Sequence, residues 1–483
     1  MNGALFLVQI LTALGTASSL FLVAAGLTVI FGVTRVVNFA HGSLYMLGAY
    51  IGWTILGHLP QTPLGFAVGC ILTAVALGVI GVVIEVVLLR RLYHAPELYQ
   101  LLATFGIVLI AANLVQIVWG PNALTIPRPV WMRGAVPIAG QAYPLYNLVM
   151  LAVGPVVLGL LWLLFTRTRW GSLVRAATQD RDMVGALGVR QQILFTAVFA
   201  LGSALAGLSG ALALPNVAAT SGMGLTAVTD AFVIVVVGGM GSVPGAFLAS
   251  LLIGLLQTFG VVLIPKYTLV AVFAVMAIVL VARPNGLMGR ESAAPRGAGE
   301  ALSLVRGATP LVMALGAAAL VIAILVPFVS TGYLLAITQN AAIAMLFAAS
   351  LHFIMGPGGM PSFGHAAWFG LGAYGAALAA TSGNLPMGVA LLVAIGVAAV
   401  AAALVGTFMV KLSGIYFAML TFAFAEVVWA LAEQSTALTG GDNGILNIWP
   451  DGWFASASGF YALVLILSVG GVLVLRRVIF SPF

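Results

Sequence analysis

Phe39-Ala40-His41-Gly42, followed by Leu47-Gly48-Ala49-Tyr50, returns 324 positions later as Phe363-Gly364-His365-Ala366 and Leu371-Gly372-Ala373-Tyr374. Between Ala25–Tyr50 and Ala349–Tyr374, 10 of 26 positions are identical without a gap. Self-similarity at a fixed offset marks a duplicated unit. The residues around both copies are long apolar runs, so the unit is a membrane domain and the chain is two homologous halves joined end to end.

Composition agrees with that assignment. Of 483 residues, 62% are hydrophobic and only 6% charged, with a mean hydropathy of +1.19. A soluble chain carries about 25% charged residues, and the apolar runs repeatedly exceed the roughly 20 residues that cross a hydrocarbon core. The expected fold is all-α and polytopic, since the alternating ten-residue strands of a transmembrane barrel are missing. Apolar segments fall at about 4–33, 39–58, 64–89, 98–119, 145–165, 193–214, 229–262 and 267–283, then at about 309–327, 332–356, 361–381, 385–410, 415–433 and 459–475. The first run has no basic stretch ahead of it and reads as a membrane helix, not a cleaved signal.

The net charge of +7 does not point to nucleic acid. The arginines sit in short loops: Arg90 and Arg91, Arg167 to Arg190, the stretch Arg283–Thr309, and Arg476 with Arg477. That is the positive-inside pattern, and it places those loops in the cytoplasm. By parity the N-terminus lies outside, and both copies of the Phe-x-His motif point the same way, so the repeats are parallel. The stretch Arg283–Thr309 holds four Arg, two Glu, two Pro and five Gly, a linker composition. The domains expected are 1–290, a linker at 291–308, and 309–483.

The run 229–262 is too long for one crossing and carries Gly238-Gly239-Met240-Gly241-Ser242-Val243-Pro244-Gly245. Gly and Pro at that density stop a helix, so two part-helices meeting at a turn are predicted. Such a break suits a transport route or a structural re-entrant hairpin.

Five His and a single cysteine, Cys70, supply neither a metal cluster nor a disulfide. His41 and His365 are expected to serve structure at the start of their segments. Asn38 and Ser362 are expected to cap those segments, with Gly42, Gly48, Ala366 and Gly372 allowing close helix contact. Among the acidic residues of apolar segments, Glu426 stands well inside one and is a functional candidate for that reason. Asn38, Ser43, Ser362, the small residues beside them and Glu426 form the expected lining of a substrate path between the halves. No P-loop exists and the only lysines are Lys266 and Lys411, so ATP hydrolysis, if it drives transport, belongs to a separate subunit.

The polar stretch Trp170–Gly188 predicts two short helices. Ser172 caps the first and Asp180 the second, and Gly188 stops the pair. Leu173, Ala176 and Ala177 form one apolar stripe and Met183, Val184 and Leu187 the other. With Arg175 and Arg181 this hairpin suits docking in another protein's groove; a helix pair resting on lipid headgroups is the alternative.

These residues resemble the permease subunits of branched-chain amino acid ABC importers. The LivH-like part, 1–290, carries Gly26-Leu-x-x-Ile30-Phe-Gly32, Val37-Asn-Phe-Ala-His-Gly42, Leu102-Ala-Thr-Phe-Gly-Ile107 and Arg175-Ala-Ala…Asp182-Met…Leu187-Gly188. The LivM-like part, 309–483, carries Pro361-Ser-Phe-Gly-His-Ala366, Gly414-Ile-Tyr-Phe-Ala-Met-Leu-Thr-Phe-Ala-Phe-Ala-Glu426 and Thr439-Gly-Gly-Asp-Asn-Gly444. The resemblance implies a multi-pass permease of the bacterial inner membrane with no cofactor and no catalytic site of its own. It also implies two cytoplasmic ATPase subunits and a periplasmic substrate-binding protein as partners. The loop 166–190 would be the ATPase-coupling element, with Arg175, Asp180, Asp182, Leu187 and Gly188, and the external loops 120–144 and 434–458 would face the binding protein. Urea and short-amide importers use similar paired subunits, and an ion-driven carrier with parallel repeats is the alternative of a different class. The second copy ends in register with about residues 166–170 of the first and is expected to be truncated.

Overall fold

The computed structural model describes residues 3–93, 95, 97–179, 181–289, 307, 309–329, 332–412 and 414–481. Nearly all of the expected linker, 291–308, lies outside them. Two compact units divide the chain, Met1–Glu291 and Ser292–Phe483. Twelve helices among the described residues are long and apolar enough to cross a bilayer.

The first unit is built around α1 (Gly3–Thr34). At 1.5 Å per residue this helix is about 48 Å long, more than the bilayer core requires. Around it run α2 (Ala40–His58), α3 (Pro63–Ile84) and a π-helical turn, Glu85–Leu89, that continues into α4 (Arg90–Leu92). Next come α5 (Glu97–Trp119), α6 (Leu145–Arg167), the short α7 (Arg169–Gln179) and α8 (Arg181–Ala186), then α9 (Gln191–Ala213). The unit closes with α10 (Met223–Gly238), α11 (Val243–Leu263) and α12 (Thr268–Ala282). The run Phe21–Ile30 is buried throughout, because α1 packs against α9, α10 and α11 together. Helices α3, α5 and α6 instead show long apolar faces outward, at residues such as Ile71, Val79, Leu109 and Leu160. That is the pattern of lipid-facing helices around a packed centre.

The predicted break in 229–262 is present. α10 ends at Gly238, Gly239 and Gly241 take φ +101° and +82°, and Ser242 caps α11 by accepting from the Gly245 amide at 3.2 Å. Only glycine adopts such backbone without strain. The carbonyls freed at the end of α10 are met by the chain after α12: Leu287 N donates to Val237 O at 2.8 Å and Met288 N to Gly238 O at 3.0 Å. The non-helical backbone of this turn is thus satisfied by protein.

One element in loop 120–144 departs from the all-helical expectation. Ala135–Ile138 (β1) pairs antiparallel with Gln141–Pro144 (β2). The connecting Ala139 and Gly140 take φ +49° and +80°, the two left-handed residues of a tight hairpin turn.

The second unit holds α13 (Pro310–Val329), α14 (Gly332–Met355), α15 (His365–Thr381), α16 (Met387–Met409), α17 (Gly414–Gln434), α18 (Thr436–Thr439) and α19 (Ala457–Ile479). By the repeat offset, α14, α15 and α16 correspond to α1, α2 and α3. Their surroundings differ. α14 packs on α19, α15 on α16 and α17, and only Leu335 and Ala342 of α14 are buried. The described residues of this unit contain no equivalents of α9, α10 and α11, the helices that enclose α1.

Candidate functional site

The loop after α6 folds as two short helices, but its caps and faces differ from expectation. Thr168, not Ser172, caps α7: its hydroxyl accepts from the Gly171 amide at 3.0 Å, while Ser172 lies within the helix. Thr168 has extended backbone between α6 and α7, so one residue ends the membrane helix and begins the next. Asp180 lies outside the described residues, as does the side chain of Asp182. Gly188 takes φ +83° and closes α8: Val189 N donates to Val184 O at 3.4 Å and Gly188 N to Gly185 O at 3.0 Å, the Schellman pattern.

The expected apolar stripes split. Gly171, Val174 and Ala177 of α7 are buried, and Val174 and Ala177, with Val184 of α8, join Val29 and Val33 of α1 and Leu194, Phe195 and Val198 of α9 in one cluster. A valine buried to this extent contributes about 1.5–3 kcal/mol, so the hairpin is seated on its own unit by Val174 and Val184. Of the stripe residues predicted, only Ala177 and Val184 face that way. Leu173 (39% exposed), Met183 (59%) and Leu187 (76%) face out, beside the exposed Arg175. A hairpin with both an inner and an outer apolar face has a second surface to cover. The Arg35 guanidinium, from the end of α1, donates to the Thr178 carbonyl at 3.2 Å, where the C-terminal end of α7 favours a cation.

The two Phe-x-His corners sit at the starts of α2 and α15. Asn38 does not cap α2 at the N-cap position, which is Phe39 with helical backbone; its Oδ1 accepts from the Ala40 amide at 3.1 Å, a local Asx turn. At the second corner the N-cap position is Gly364, and Thr421 Oγ1 of α17 accepts from the Phe363 amide at 3.0 Å; the expected caps at Asn38 and Ser362 are therefore replaced by these contacts. Asn38, His41 and Ser43 are buried. His41 Nε2 lies 2.8 Å from the Val23 carbonyl on α1, which makes it the donor and leaves Nδ1 a bare acceptor.

His365 repeats this tie by a different route. Its Nε2 lies 2.7 Å from Ser350 Oγ, and that hydroxyl donates to the Phe347 carbonyl at 2.8 Å. Phe347 occupies the place of Val23 by the repeat offset, and Ser350 that of Gly26. A Cβ on Gly26 would stand 2.7 Å from His41 Cε1 and 2.5 Å from the Gly202 carbonyl. The bare glycine therefore lets one imidazole reach the helix directly, and serine bridges the gap in the other half.

The small residues also diverge. A Cβ on Gly48 would stand 2.6 Å from Gly207 Cα on α9, whereas the nearest atom to one on Gly372 is the Ala394 carbonyl at 3.8 Å. Glu426 sits half-buried in the middle of α17.

Sequence reasoning missed a further polar cluster. Glu85, in the π-helical turn, is fully buried at 0% exposure and pairs with Arg90 at 2.9 Å. Thr196 of α9 and Tyr93 complete it. The residues are five apart, outside the three- and four-residue spacing of α-helical pairs; the wider π turn brings one over the other.

A family model described as "Branched-chain amino acid transport system / permease component" matches residues 9–280 and 333–480. Over 295 residues the chain is 30% identical to the high-affinity branched-chain amino acid transport system permease protein BraD of Pseudomonas aeruginosa, covering 59% of this chain and 96% of that relative. Similarity to the permease protein LivH of Escherichia coli K12 is 27% over 299 residues, 59% of this chain and 96% of LivH. A separate region is 32% identical over 131 residues to LivM of the same organism, 27% of this chain and 31% of LivM, so the chain spans about a third of that relative. No solved structure matches.

Proposed function

This chain belongs to the branched-chain amino acid transport permease family, and from that premise we propose that it is the membrane-spanning permease of an ATP-driven importer for branched-chain amino acids. The observation that carries the reading is the hairpin α7–α8. It is held to its own unit by Val174, Ala177 and Val184, yet it presents Leu173, Met183 and Leu187 outward. An apolar strip on a short helix pair, flanked by Arg175, fits the cleft of a cytoplasmic ATPase subunit. Two such ATPases supply the hydrolysis for which this chain has no P-loop, and a periplasmic binding protein delivers substrate to the loops 120–144 and 434–458.

The substrate path runs along the helices that begin at the two Phe-x-His corners. A small zwitterion with an apolar side chain needs a route with few fixed charges, because a strong ion pair would hold it too tightly to release. Asn38, His41, Ser43 and Gly48 brace that route in the first half, and Ser362, His365, Gly372 and Glu426 belong to it in the second. The Nε2 ties of both histidines keep those helix starts against the preceding helix.

Reconstitution of the complex with its ATPases and binding protein tests the reading. Uptake is expected to follow ATP hydrolysis, and robust accumulation under an ion gradient without ATP overturns it. Leu187→Asp is expected to leave membrane insertion intact while separating hydrolysis from uptake; normal transport in that variant would mean that the hairpin only rests on the membrane.

A further inference from the structure

Glu85 is a fully buried carboxylate in a π-helical turn, and its partners come from both sides of a helix crossing. Arg90 Nη2 donates to Glu85 Oε2 at 2.9 Å and to Thr196 Oγ1 at 2.7 Å. The Thr196 hydroxyl, 2.8 Å from Glu85 Oε2, gives its proton to the carboxylate, a stronger acceptor than the Gln192 carbonyl that also lies near it. Tyr93 donates to Glu85 Oε1 at 3.3 Å, and its ring meets Phe195 edge-on with centroids 5.7 Å apart.

Thr196 and Phe195 lie in the second turn of α9, which begins directly after the hairpin. Phe195 belongs to the same apolar cluster as Val174 and Val184. The charged cluster and the hairpin are thus two ends of one packed body, and the first turns of α9 join them.

We propose that Glu85, Arg90 and Thr196 form a latch that fixes the start of α9 to the end of α3, so that displacement of the hairpin moves the membrane helices as one body. These are positioning residues, and the assignment rests on the importer reading given above. A buried carboxylate holds its place only while its partners remain, and a π turn, costly as regular structure, is common where function needs it. With the latch open, α9 gives way locally and hairpin motion is dissipated in its first turns.

The test uses the reconstituted complex with ATPases and binding protein. Thr196→Val keeps shape and removes the hydroxyl; Thr196→Ser keeps the hydroxyl. Thr196→Val is expected to lower substrate moved per ATP hydrolysed by about tenfold or more, with hydrolysis retained, because it removes two hydrogen bonds to charged groups, one from Arg90 and one to Glu85, each worth about tenfold or more. Thr196→Ser is expected to restore the ratio, which a purely steric role for Thr196 would not require. An unchanged ratio in Thr196→Val overturns the latch. ATP-independent uptake by the wild type would instead count against the importer reading. The latch is then judged by amide hydrogen exchange at residues 191–196, expected to quicken in Thr196→Val and recover in Thr196→Ser. Equal exchange in all three overturns it.

Discussion

Replacing Gly48 with alanine adds one methyl group where α2 crosses α9. That carbon would stand 2.6 Å from Gly207 Cα and 2.8 Å from its carbonyl oxygen. Both are backbone atoms, and ordinary carbon contacts lie at about 3.5–4.0 Å. The helices must therefore part by roughly 1 Å, and a gap of that size forfeits about a quarter to a half of the dispersion energy of the contacts around it. Overpacking of this kind costs about 1–3 kcal/mol. Alanine is also the better helix former, by about 0.8–1.0 kcal/mol, so a control must carry the same gain. Gly106, within α5, provides it: a Cβ there meets no atom within 4 Å. The comparison of Gly48→Ala with Gly106→Ala cancels the propensity term and leaves the clash, about five- to 150-fold in the unfolding equilibrium of the first unit. Cys70, the single cysteine, is buried in the same unit and reports on it alone. Alkylation of Cys70 by a maleimide across a denaturant series, in detergent, should show the Gly48→Ala midpoint well below that of Gly106→Ala. Coincident midpoints would refute the close approach of α2 and α9.

Gly372→Ala, where the nearest atom is 3.8 Å away, should fold and insert as the parent does. Gly372→Trp then becomes the clean test of the substrate path: blocked uptake with normal binding-protein docking is expected, and full uptake would place the path elsewhere. Gly188→Ala puts a Cβ on a residue at φ +83°, at a cost of about 1 kcal/mol or more. It should loosen the hairpin and raise amide exchange at Val189, and unchanged exchange would argue against the Schellman closure. Ser350→Val removes the hydroxyl between His365 and the Phe347 carbonyl and should destabilise the second unit by about 1–3 kcal/mol; Ser350→Thr, which keeps the hydroxyl, should restore most of it in a thermal unfolding assay.

The apolar segments, the duplication and the break within 229–262 were legible in the sequence, because each depends on local properties. Length and hydropathy decide what crosses a bilayer, and Gly and Pro decide where a helix stops. The hairpin was legible as two helices for the same reason. Its faces were not. Val174 and Leu173 are adjacent and equally apolar, and only the positions of α1 and α9 determine that one is buried and the other exposed. The Glu85–Arg90 pair also escaped sequence reasoning, since a five-residue spacing matches no α-helical pair until the backbone takes the π turn. The two histidines read as equivalents, yet one reaches its carbonyl directly and the other through Ser350, a difference set by the gap that Gly26 leaves beside α9. Most plainly, α1 and α14 are homologous apolar helices, but α1 is enclosed by α9, α10 and α11 while α14 has no such neighbours among the described residues of its unit. Sequence determined which segments enter the membrane, because transfer free energy belongs to each segment. Tertiary structure decided which face of each segment is packed, because burial is a property of the neighbours.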